Sequence, residues 1–186
     1  MKALKRTYGL LVCLTLGLAA ACDGDVENEY SNLRAFCRVT PVTGAAPLFG
    51  ALNNPGIFCT LTPDGTRYIF TRQNGTTVPM EMGATTQNYY RLQSIYNQGF
   101  IIGTPSVPDW KMQLTPVVFD IVCPNCYEAA IAETLTLQGE EAVCGRCGRH
   151  YLLRDKGIII EGEKGRKLHQ YHMTYTPAQD LFVINN

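Results

Sequence analysis

Cys123-Pro-Asn-Cys126 and Cys144-Gly-Arg-Cys147-Gly148 are two C-x2-C pairs with 17 residues between them. A C-x2-C turn lets both sulfurs face one ion. Two such turns supply four thiolates, the full ligand set of a tetrahedral soft-metal site. Pro124 and Gly148 suit tight turns whose backbone N–H groups approach the sulfurs. The expectation is one metal centre on Cys123, Cys126, Cys144 and Cys147. One or two disulfides, or a redox-active C-x2-C, are the alternatives. Four thiolates suit Zn²⁺, a single iron or an all-cysteine [2Fe–2S] cluster.

The elements that must position these sulfurs read as strands. Apolar runs at 67–71, 99–103, 116–122, 157–161, 169–175 and 180–184 are rich in β-branched and aromatic residues, and 135–137 adds a shorter one. Pro63-Asp-Gly65, Asn74-Gly75 and Asp155-Lys-Gly157 mark turns between them. Helical turns are expected only at 127–133 and 87–97. The fold class is all-β, with two hairpin-like loops meeting at their tips around the ion, above a β base. The metal subdomain runs from about 119 to 157. No tandem repeat or low-complexity segment stands out.

The N-terminus points to export. Lys2, Lys5 and Arg6 precede an uncharged apolar stretch from Gly9 to Ala21, and Ala19-Ala20-Ala21 leads into Cys22. Small residues directly before a Cys resemble a bacterial lipobox, which implies a signal peptide over 1–21 and lipidation of Cys22. Ala19 stands where that pattern prefers Leu. Ordinary signal cleavage is the alternative, and the run is short for a transmembrane helix. The expected location is the bacterial cell envelope, periplasmic or surface side, with the membrane as partner through the anchor. Residues 22–33 form an acidic tether and 34–186 one β domain of a size that can bury a core.

Formal net charge is zero. Without the signal, 13 basic residues face 16 acidic ones, and four of the acids lie in the tether. The globular part is near neutral, which gives no case for nucleic-acid binding. Seven basic and three acidic residues within 146–167 read as a solvated face. Cys13 leaves with the signal, Cys22 is the anchor, and four cysteines go to the metal. Cys37 and Cys59 remain, and in an exported chain a disulfide between them is expected. Two separate buried thiols are the alternative.

The last third resembles a Rieske-type ferredoxin domain. Phe119-Asp120 runs into Cys123-Pro124. Gly148, Tyr151, Leu152-Leu153 and Gly157 follow the second pair, then Gly162, Leu168 and Tyr171. The resemblance implies a Rieske-like sandwich or barrel base carrying two ligand loops. Asn125 and Cys147 stand at the family's two histidine positions, and Glu163-Lys164-Gly165 replaces its Pro-rich loop. Two histidines on one iron raise that family's potential, so its redox chemistry does not carry over. Alone, the knuckles also resemble zinc ribbons and rubredoxins.

Lys5-Arg6 is not a twin-Arg signal, so the chain would cross the membrane unfolded and take up its ion afterwards, which favours zinc over iron. His150 could bond a sulfur or solvent, whereas His169 and His172 would point to opposite faces of one strand. No catalytic constellation is present in the sequence. Two functions follow: a tethered, non-catalytic binding module with structural zinc and an unknown protein partner, or an electron carrier with an all-cysteine iron site and a redox partner.

Overall fold

The computed structural model describes residues 28–186. The signal sequence, Cys22 and the first half of the tether, through residue 27, lie outside the described residues. The fold is mostly β, as expected, in three antiparallel sheets.

The central sheet has six strands. It contains β2 (Ile57–Asp64), β3 (Arg67–Arg72), β4 (Thr77–Glu81), β5 (Phe100–Thr104), β6 (Val117–Asp120) and β11 (Gln170–Tyr171), in the order β11-β6-β5-β2-β3-β4. Every residue of β5 is buried, because the sheet is covered on both faces. Side chains alternate along each strand. Phe100, Ile102, Val118, Cys59 and Leu61 enter one core, while Ile101, Phe119 and Phe58 enter the other.

The first core is closed by helix α1 (Ala46–Asn53) and by a three-stranded sheet. That sheet is built from β1 (Phe36–Val39), β12 (Met173–Thr176) and β13 (Leu181–Asn185). The second core is closed by the four-stranded sheet that carries the cysteines. Its strands are β7 (Leu135–Gln138), β8 (Glu141–Cys144), β9 (His150–Leu152) and β10 (Ile158–Glu161). The cysteine loops are therefore one layer of the domain rather than an appended module.

The anticipated strands are present, with one division. The run 169–175 splits at His172 into β11, which pairs with β6, and β12, which pairs with β13. Turn signals act where expected: Gly65 at φ 60° closes the β2–β3 hairpin, and Lys156 and Gly157 at 52° and 70° precede β10. The helical turns fall slightly earlier than expected, at α2 (Ala84–Tyr89) and α3 (Pro124–Tyr127).

The expected Cys37–Cys59 disulfide is not formed; both are free, buried thiols. Cys37 sits on β1 opposite Ile184, and Cys59 on β2 opposite Arg72 and Ile102. Both pack in the first core as small apolar side chains. Burial pushes each thiol up to about 12, so both stay protonated at neutral pH.

Asp120 ties three segments together behind the cysteine loops. Its Oδ2 accepts the Ile95 N–H at 2.9 Å and the Tyr171 hydroxyl at 3.0 Å, and its Oδ1 accepts the Val122 N–H at 2.9 Å. Burial pushes this carboxyl up to about 6, against the opposing pull of those three bonds. The folded state thus holds the proton more tightly than the unfolded chain does. Its contribution is fully present below about pH 4 and lost as pH rises through about 6, a difference of roughly 3 kcal/mol. Asp120→Asn is expected to flatten the stability profile across that window. Paired urea titrations of both proteins between pH 4 and 7 check it, and parallel profiles would contradict it.

Candidate metal centre

The two knuckles are built differently. The first is a strand-to-helix turn. Strand β6 ends at Asp120, Cys123 caps α3, and Pro124 fills the first helical position, where a missing N–H costs nothing. Cys123 N–H bonds Glu133 O at 2.8 Å, and Leu135 N–H bonds Ile121 O at 2.8 Å, which fixes this turn to the start of β7. The second knuckle is the tip of the β8–β9 hairpin. Cys144 N–H bonds Arg149 O, and Gly148 N–H bonds Cys144 O, both at 3.0 Å. Gly148 has φ 67°, the left-handed conformation that the tip requires.

These turns bring all four sulfurs together. The Sγ atoms of Cys123, Cys126, Cys144 and Cys147 all lie within 4.8 Å of one another. Cys123–Cys147 and Cys126–Cys144 are each 3.7 Å apart, so each close pair spans both knuckles. Thiolates about 2.3 Å from one ion at tetrahedral corners lie about 3.8 Å apart. The donor set and its spacing fit a single soft metal ion.

The surroundings favour thiolate at one edge. Cys123, Cys126 and Cys144 are buried, and Cys147 is half-buried. Burial and the neighbouring sulfurs push the Cys126 thiol up. Burial likewise raises Cys144, to about 11. Burial would raise Cys147 too, but the guanidinium and backbone N–H of Arg149 outweigh it and hold this thiol at about 7. A cation at the centre would stabilise all four as thiolates.

Two residues outside the cysteine set complete the geometry. Asn125 Nδ2 donates to the Tyr151 hydroxyl and to Arg166 O, each at 2.9 Å, and its Oδ1 accepts the Arg166 N–H at 2.9 Å. Tyr151 Oη accepts from Asn125 and lies 3.2 Å from Cys123 Sγ, within hydrogen-bond distance, and would donate to that sulfur when it is a thiolate. Sequence reasoning placed Asn125 only as the occupant of a lost histidine position. Here its amide clamps the loop at 162–168 over the first knuckle. Gly165 makes room for it, since a Cβ there would sit 2.1 Å from Asn125 Oδ1. Asn125→Ala is expected to cost about 1–3 kcal/mol and to loosen that loop while leaving the metal bound. Amide hydrogen exchange at 162–168, with metal content, checks this. Loss of the metal would contradict it.

The histidines are not ligands. His150 Nδ1 lies 3.2 Å from Glu141 Oε2, His169 Nδ1 lies 3.2 Å from Ser31 Oγ, and His172 stacks on Tyr30 at 3.7 Å between ring centres. Among the described residues, no helix is long and apolar enough to cross a membrane. No protein family, curated protein sequence or solved structure matches the chain.

Proposed function

We propose that this chain is a lipid-anchored envelope protein whose β domain holds one Zn²⁺ through Cys123, Cys126, Cys144 and Cys147, with a structural role for the ion and a non-catalytic binding role for the domain. The observation that carries the reading is the four-sulfur cluster, with every sulfur within 4.8 Å of the others. A two-iron cluster divides its four sulfurs between two metals, and so compact a set suits one ion better. Four thiolates close a tetrahedron and leave no position for water or substrate. The order of strand, loop and Gly turn supports a Rieske-like origin for the two ligand loops. The lipid anchor rests on the residues before Cys22.

One observation favours electron transfer as the second reading. Cys147 is the least buried of the four sulfurs and gives a route from the centre to the surface. A single iron there would make the domain a one-electron carrier for a redox partner. Metal analysis with absorbance between about 300 and 600 nm separates the two, because Zn²⁺ is silent and iron–thiolate centres are coloured. A colourless protein with one zinc per chain supports the first. A coloured, reversibly reducible protein with one iron supports the second.

A further inference from the structure

The loop between β5 and β6 displays large apolar side chains. Trp110 is 85% exposed, Met112 83%, Val107 54% and Leu114 44%. Single exposed apolar residues are ordinary; four in one loop are not. The loop is also built to keep them there. Asp109 Oδ1 accepts the N–H groups of Lys111 and Gln113 at 2.9 Å each, and Asp109 N–H bonds Gln113 O at 2.8 Å. Met112 N–H bonds Asp109 O at 2.9 Å, and Met112 has φ 60°. At the base of the loop, Ser106 N–H and Oγ–H donate to the Glu140 carboxylate at 2.7 and 2.6 Å.

The N-terminal segment reaches the domain beside this loop. Glu29 and Tyr30 share a groove of about 590 Å³ with Val107, Pro108 and Trp110. From Tyr30 onward the chain is fixed: Tyr30 stacks on His172, and Ser31 N–H bonds Gln170 O at 2.8 Å. Cys22 stands seven residues before Glu29, a reach of at most about 25 Å. A lipid on Cys22 would hold this face of the domain within that distance of the bilayer. Lys111 lies with Nζ 5.0 Å from the Trp110 ring centre. Arg154 and Lys156 line the groove together with Glu29, Asp109 and Asp155, and they pair with Glu140 at 3.4 Å and Glu29 at 3.2 Å, so the groove itself is charge-balanced. An exposed indole with apolar neighbours and one lysine stem beside it suits the headgroup region of a membrane.

We propose that the loop 105–116 is a membrane-contact loop that seats Trp110 and Met112 in the lipid interface and fixes how the anchored domain stands on the bilayer. The inference rests on the lipid-anchor reading, and one experiment separates the two. Trp110 is the only tryptophan in the chain, so its emission reports this loop alone. The full mature protein and its Cys22→Ser form are each mixed with vesicles of phosphatidylethanolamine and phosphatidylglycerol. Emission, quenching by acyl-brominated lipid, quenching by aqueous iodide, and co-sedimentation are recorded.

The expected result is a blue-shifted Trp110, quenched by brominated lipid and shielded from iodide, in the anchored protein. The same shift, reached only at higher lipid concentration, is expected for Cys22→Ser. If the mature protein co-sediments while Trp110 stays iodide-accessible and unshifted, the anchor stands and the loop proposal is overturned. If both forms bind alike with a shifted Trp110, the loop proposal stands and the anchor reading fails. A shift that depends on protein concentration without lipid assigns the loop to a contact between copies and overturns the proposal.

Discussion

Cys144→Ser is expected to release the metal ion and to unzip the cysteine layer while leaving the first core folded. Cys144 is fully buried, ends β8, and lies 3.7 Å from the Cys126 sulfur, so the substitution exchanges a buried thiolate for a hydroxyl, a much weaker ligand for a soft ion. A structural zinc site supplies on the order of 10–16 kcal/mol, and losing about a quarter of that weakens binding on the order of a hundredfold or more. Dependence of the layer on a bound ion is expected because its own strands are short, four residues or fewer each. Hydrogen exchange should rise across 121–168 and stay slow in β1, β12 and β13. A chelator acting on the unaltered protein should give the same pattern. Unchanged exchange after metal loss would show that apolar packing alone orders the layer.

Gly99→Ala is expected to prevent stable folding. Gly99 has φ +120°, and a Cβ there would lie 1.9 Å from Leu61 O and 3.1 Å from Thr62 Cα. Those atoms are backbone of β2, so relief requires moving the strand that pairs with β5 through Leu61 and Phe100. Overpacking against backbone, with a side chain in a conformation that L-residues avoid, should cost about 4 kcal/mol or more. Since the central sheet borders both cores, the loss should appear in both together. Thermal melts with soluble yield check it. A variant within about 1 kcal/mol of the original would contradict the close approach.

The cysteine site was legible because two C-x2-C pairs impose local geometry that the rest of the chain need only bring together. Strands such as β3, β6, β10 and β13 were legible because alternation and flanking turn residues survive in the sequence. Helix α1 was not legible. Its sequence Ala46-Pro-Leu-Phe-Gly-Ala-Leu-Asn53 is short, contains Gly50, and has no side-chain cap at its start. Strand β2 was hidden because Phe58 and Cys59 are both buried, one in each core, which blurs the two-residue period. The division at His172 was hidden for a related reason: periodicity gives the face of a strand but not the sheet it joins. Cys37 and Cys59 were paired by elimination among the cysteines, and elimination carries no distance. The clamp made by Asn125 joins residues 41 positions apart and had no local signal beyond an amide between two ligands.

The most direct test of the four-cysteine centre is X-ray absorption at the edge of whichever metal the purified protein contains. One metal per chain with four sulfur neighbours at about 2.3 Å is the predicted result. A metal shell containing nitrogen or oxygen, or a metal-free protein with Cys123–Cys126 and Cys144–Cys147 joined as disulfides, would contradict it.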